Sequence, residues 1–218
     1  MIARFRTATA LVAMAALASA GPVMARGVPA PSGDAYPVEQ VLSAFRTACG
    51  AMSDYSDTIA SVTKAGWTDR SEAGIPEMAE FMTFAEDTGR GMIDDAGGTM
   101  SQPAIFSNDV AGENLAIVIT QVEMAGKRVT GCRLFDPGES RDAGAQGVST
   151  LIGAEPVQLI EREGNTIAKF GGLADGHDSY DYYFIPAGSP LESMLHFNGL
   201  AMKIDSVGPS GMSDISND

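Results

Sequence analysis

Two cysteines constrain this chain more than any other residues, because each belongs to a patterned apolar segment. Val38, Val41, Leu42, Phe45, Cys49 and Met52 follow one another at spacings of three, one, three, four and three. That period puts them on one stripe of an amphipathic helix, with Pro37 beginning it in the favoured first-turn position. Cys132 lies in "KRVTGCRLF", two residues before Leu134, so both side chains share one face of a strand. If the two thiols join, the helix must lie on the apolar face of that strand. The compartment decides whether they do.

The first 25 residues, "MIARFRTATALVAMAALASAGPVMA", predict export. Arg4 and Arg6 precede an apolar run from Ala8 to about Ala20, and small residues close it, as in a cleaved Sec-type signal. Val23 and Ala25 fit the −3 and −1 positions; cleavage after Ala20 is the alternative, with Pro22 then beside the new terminus. No cysteine follows the run to anchor a lipid, and the arginines are not adjacent as twin-arginine export requires. The run is short of the ~20 residues that span a bilayer, and no later segment is long and apolar enough. The expected location is periplasmic or secreted, with no membrane insertion after signal cleavage. In that oxidising setting a Cys49–Cys132 disulfide is expected, and in the chain-entropy picture so large a loop stabilises by roughly 4–5 kcal/mol. There is no C-x-x-C spacing to suggest a redox pair.

Signal loss takes the 14 basic residues to 12 against 28 acidic ones, so the net charge moves from −14 to about −16. Nucleic acid is excluded as a partner, since phosphate binding needs clustered Lys and Arg, and anionic lipid is disfavoured for the same reason. The rest divides into a leader at 26–35, a domain at 36–205 and a disordered tail at 206–218. A second helix is predicted from Ser56 or Asp57 to Gly66, and a third from Pro76 to Gly89 with Met78, Phe81, Met82 and Ala85 inward. After "DDAGGTMSQP" the texture turns to strands: "AIFSN", then "NLAIVITQVEM" and "KRVTGCRLF" as a hairpin. A three-residue loop with Gly126 left-handed suits Ala125 and sets Val118 opposite Cys132 and Ala116 opposite Leu134; a two-residue turn would set Ile119 and Ile117 there. "SRDAGAQGVSTLIG" reads as a helix, "EPVQLIERE" as strand or helix, and "NTIAKFGG", "SYDYYFIP" and "MLHFNGLAMKID" as strands. The fold class is α+β, N-terminal helices packed on a largely antiparallel β-sheet.

Sequence motifs for chemistry are sparse. G-x-S-x-G, H-E-x-x-H, a P-loop and G-x-G-x-x-G are all missing, so no catalytic residue, no metal ligand set and no cofactor is assigned. The densest polar cluster is Asp175, His177, Asp178 and Asp181 in "GGLADGHDSYDYYFIP", with His196 further on. Its spacing matches no calcium loop, and one histidine with one acid is too little for zinc. Asp175-Gly176 between two β-rich runs reads as a hairpin turn. On its second strand Tyr180, Tyr182 and Phe184 share one face and Asp181, Tyr183 and Ile185 the other. His196 reads as a partly buried residue on a strand.

"AFRTACGAM", "AGW" at Ala65 to Trp67 and "GCRLFD" at Gly131 to Asp136 together resemble a group of small, uncharacterised exported proteins of alphaproteobacteria. The likeness covers about the first half of the mature chain. It implies a helix-first α+β periplasmic domain with a helix-to-strand cysteine pair, and carries over no active site. The functional expectation is a non-enzymatic binding protein of the cell envelope, taking a basic protein or a small envelope ligand. The alternative is a hydrolase or metal-dependent enzyme using His177 or His196 with nearby acids.

Overall fold

The computed structural model describes residues 35–173 and 176–210. The expected signal at 1–25, the leader through residue 34, Asp175 and the last residues, 211–218, lie outside them.

Helix α1 spans Val38–Cys49, with Pro37 just before its first helical residue, and buries Val41, Leu42, Phe45 and Cys49 along the expected stripe. Helix α2 spans Tyr55–Lys64 and is capped by Asp54, not by Ser56 or Asp57. The Asp54 backbone is extended and its carboxylate accepts the Asp57 N–H at 2.9 Å, which places the other two residues inside the first turn. Trp67 follows in the core, 4 % exposed. After the short strand β1 (Thr68–Asp69), a 3-10 turn at Pro76–Met78 leads into α3 (Ala79–Asp95). This helix passes through Gly89, where it was expected to stop. A Cβ on Gly89 would come within 3.3 Å of the Met100 sulfur, so the glycine serves close packing and not termination.

The strands are β2 (Thr99–Met100), β3 (Ala104–Val110), β4 (Glu113–Met124) and β5 (Lys127–Pro137). Helix α4 (Ala145–Ile152) follows, then β6 (Gln158–Arg162), β7 (Asn165–Gly171), β8 (Ser179–Ile185), α5 (Pro190–Leu195) and β9 (Gly199–Pro209). They pair antiparallel in the order β1-β3-β4-β5-β9-β8-β7-β6, with β2 on the end of β4. The α+β class with an antiparallel sheet is therefore observed. β9 enters between β5 and β8 and runs to Pro209, four residues past the expected domain end at 205. Lys127 at the far end of β5 needs a partner, and it pairs with Pro209. Backbone pairing, not apolar periodicity, keeps this segment extended.

The β4–β5 hairpin departs from the expected three-residue loop. Ala125 and Gly126 form a two-residue turn, both at positive φ (50° and 74°), and Met124 pairs with Lys127. Ile119 therefore stands opposite Cys132 and Ile117 opposite Leu134. A one-residue slip would turn a strand's side chains to the other face; the burial of Ile117 and Ile119 outweighs the modest strain of Ala125 at positive φ. Cys49 and Cys132 are disulfide-bonded, 83 residues apart in sequence and 6.1 Å between Cα atoms.

The sheet has helices on both faces. α1, α2 and α4 cover the face that carries Leu115, Ile117, Leu134, Tyr180, Tyr182 and Met202. The 3-10 turn, α3 and α5 lie on the face that carries Ala116, Val118, Phe135, Ile185 and Ala201. Among the described residues no helix is long and apolar enough to cross a membrane.

Candidate functional site

Among the described residues, the members of the expected polar cluster take separate partners. His177 Nε2 lies 3.2 Å from the Gly50 carbonyl and ties the β7–β8 loop to the end of α1. Asp178 accepts the Val207 N–H at 2.6 Å, and its own N–H donates to the Asp205 carbonyl, so it serves the edge of β9. Asp181 is buried in β8, where it accepts the Tyr183 hydroxyl at 2.8 Å and faces Lys203 at 3.6 Å. Asp175 is outside the described residues. Tyr180, Tyr182 and Phe184 do share one buried face, as alternation predicted.

His196 is not on a strand. It closes α5 in the left-handed conformation (φ 54°), 5.0 Å from the Phe84 ring. The "MLHFNGLAMKID" segment splits because Ser189 caps α5 and Pro190 opens it. The S-x-x-E pattern of a capping box is present: the Glu192 N–H bonds to the Ser189 hydroxyl at 3.3 Å, and the Glu192 carboxylate reaches one residue further back to accept the Gly188 N–H. "SPLE" carried that signal in plain view. His177 precedes the Ser179–Asp205 pair and His196 precedes the Ile185–Gly199 pair, at opposite ends of β8. Six residues of strand put them roughly 20 Å apart. His196 also borders a groove with Glu77, Glu80, Glu192 and Ser193, and no hydrogen bond joins it to any of them.

A cleft of about 1050 Å³ lies elsewhere, at the end of β4 and β5 beside the segment that leads into α3. Its wall carries Glu113 from the start of β4, Asp136 from the end of β5, and Glu139 and Arg141 from the loop before α4. One carboxylate oxygen from each acid lies within 4.8 Å of the others. Arg141 holds two of them: Nη2 donates to Glu113 at 2.7 Å, and Nε donates to Glu139 at 2.9 Å. Glu139 also accepts the backbone N–H groups of Ser140 and Arg141 at 2.7 and 2.6 Å. Burial alone would raise its pKa, but these hydrogen bonds hold its carboxyl below the ordinary value.

Asp136 is different. It is 6 % exposed, and the hydroxyl of Tyr36 donates to its Oδ2 at 3.0 Å. Burial pushes its pKa up to about 6; the neighbouring Glu139 and Glu113 charges add to the rise, while the Tyr36 hydrogen bond and Arg141 oppose it. Tyr36 is itself pushed up, by burial first and then by the Asp136 charge. The Arg141 guanidinium sits 5.4 Å from the centre of the Tyr36 ring, which locks the wall together by a cation–π contact.

This arrangement can receive positive charge. Around Arg141 three carboxylates face one guanidinium, and Glu77 and Asp109 line the cleft with Arg70, so it is negative whether or not Asp136 is protonated. The three oxygens are close enough to ligate one hard cation, but such an ion would have to draw two of them away from Arg141. Neither histidine lines the cleft. Sequence reasoning passed over Asp136 although a signal was present. Cys132, Leu134 and Asp136 are two apart, so an acid occupies an inward position on the strand that carries the disulfide. Comparison with protein-family models, curated proteins and solved structures finds no match to this chain.

Proposed function

We propose that the chain is an exported, non-enzymatic binding protein of the cell envelope, and that the acidic wall of its large cleft receives a cationic group of its ligand. The observation that carries this reading is the buried Asp136 carboxylate, grouped with Glu113 and Glu139 on the wall of a 1050 Å³ cleft. Export is supported by the signal-like residues 1–25 and agrees with the disulfide. A basic protein or a small polyamine-like ligand would satisfy the wall, and the overall negative charge would steer either toward it. The alternative of a hydrolase or metal-dependent enzyme draws no support from His177 or His196, which stand apart and are hydrogen-bonded to no carboxylate among the described residues.

Calorimetric titration with spermidine and with a lysine-rich peptide tests the reading. Binding is expected to weaken about tenfold or more between low and physiological salt, because the attraction is screened. Glu113→Gln is expected to weaken it further. Undetectable binding of both probes, or affinity indifferent to salt and to Glu113→Gln, removes the proposal.

A further inference from the structure

On the opposite face of the sheet, a pocket of about 200 Å³ opens between the start of α3, α5 and strands β5, β8 and β9. Phe81, Phe135 and Phe197 form its apolar part, with ring centres 5.0, 5.4 and 5.5 Å apart, and Ile185 completes that wall. Arg133 and Lys203 line the pocket too. They are cross-strand partners two residues along from the Phe135–Ala201 pair and on the same face, so they occupy one end. Two cations directly opposite each other destabilise a sheet unless something compensates them.

The compensation is unequal. Lys203 is held by Asp205 at 2.6 Å with Asp181 at 3.6 Å. Among the described residues Arg133 has no carboxylate within hydrogen-bonding distance; Asp205 is 3.8 Å away, and the one hydrogen bond the guanidinium donates there is to the neutral Thr120 hydroxyl, at 2.7 Å. Gly131 leaves room for it: a Cβ there would lie 2.5 Å from Nη1, so a side chain at 131 would push the guanidinium off the strand, where the Thr120 hydrogen bond now holds it. A partly buried arginine is thus oriented and left with spare donors beside an aromatic pocket, in a chain of strongly negative net charge.

We propose that this pocket binds a small apolar carboxylate, its aryl or branched-alkyl part among Phe81, Phe135 and Phe197 and its carboxylate on Arg133 with Lys203 beside it. Planar guanidinium suits a carboxylate, to which it donates two parallel hydrogen bonds. The volume is below the roughly 300–1,000 Å³ typical of sites for drug-sized molecules, which limits the ligand to a small acid. Phe81, which closes the pocket from α3, is only half-buried, and no residue of that helix is fully buried, so the roof can yield to admit it. The site is independent of the acidic cleft and takes a ligand of the opposite charge.

The experiment is a titration of the disulfide-bonded chain with 3-phenylpropionate and, in parallel, with 3-phenylpropanol, read by calorimetry and by NMR shifts. The acid is expected to bind about tenfold or more tighter than the alcohol, a difference of one charge-assisted contact. Shifts are expected at Tyr183 and Phe81 and not at Tyr36 in the cleft. Arg133→Gln is expected to bring the acid down to the affinity of the alcohol; Lys203→Gln serves as the second variant if the first does not fold. Phe81→Ala is expected to weaken both probes alike. No saturable binding of the acid, equal affinity for acid and alcohol, or an acid affinity unchanged by the charge-removing variant overturns the proposal.

Discussion

On the face that carries Cys132, α1, α2 and α4 leave Phe45, Tyr180 and Tyr182 at most 2 % exposed, whereas the 17-residue α3 lies on the other face without fully burying any residue of its own. The two coverings differ in how they are held. α1 is tied to β5 by the disulfide, and its stripe is apolar at each turn. α3 has no such tether, carries two glycines, and packs half-buried Phe81 and Met82 against the sheet. The first face supplies most of the buried apolar area that stabilises the fold. The second is less completely covered, and there an aromatic pocket ending in Arg133 and Lys203 remains open.

Three measurements bear on that contrast. The largest effect is expected from replacing both Cys49 and Cys132 by alanine, which should lower unfolding free energy by about 4–5 kcal/mol in the loop-entropy account. Urea unfolding checks it; a loss below about 1 kcal/mol would mean that packing alone holds α1 and that the tether does not distinguish the faces. Next, Phe45→Ala should cost about 3–5 kcal/mol as a fully buried aromatic, and Phe81→Ala less than about half of that, because it is already partly in water. Equal costs for the two would break the comparison outright.

The smallest effect concerns a cost borne on the well-packed face. Asp136 has its pKa raised from the ordinary 3.8 to about 6, so the folded state holds a proton that the unfolded state releases between those values. The contribution of Asp136 to stability should therefore be largest below about pH 4, fall as pH rises through about 6, and level off above it. Asp136→Asn should flatten this slope and raise stability at pH 7 by up to about 3 kcal/mol, from a shift of about two units at 1.36 kcal/mol each. Unfolding midpoints measured from pH 4 to 8 decide it, and an unchanged slope in the variant would locate the pH dependence elsewhere.

Much of this was legible from short-range pattern. Residues 38 to 49 announced α1 and the direction of Cys49, although the stripe's last member, Met52, lies beyond the helix end; Tyr180, Tyr182 and Phe184 announced the inner face of β8. Local signals were also missed. The capping-box pattern at Ser189 and Glu192 marked α5, and the inward position of Asp136 marked the cleft. Other errors had no local remedy. Ala125 at positive φ is disfavoured by itself, and it occurs because the register that buries Ile117 and Ile119 requires it. Gly89 looks like a helix stop until Met100 is seen packed on it.

The chain's own pattern thus determined the elements, the faces they bury and the helix-to-strand disulfide, because side-chain period and turn chemistry act over a few residues. Tertiary structure alone decided that β9 enters between β5 and β8, that Lys127 draws the chain out to Pro209, and that Lys203 stands beside Arg133. It also decided that Tyr36 meets Asp136 across 100 residues of chain, and that Arg141 reaches back to Glu113. These juxtapositions follow from strand order and register, which minimise free energy over the whole sheet and leave no mark in any one stretch of sequence.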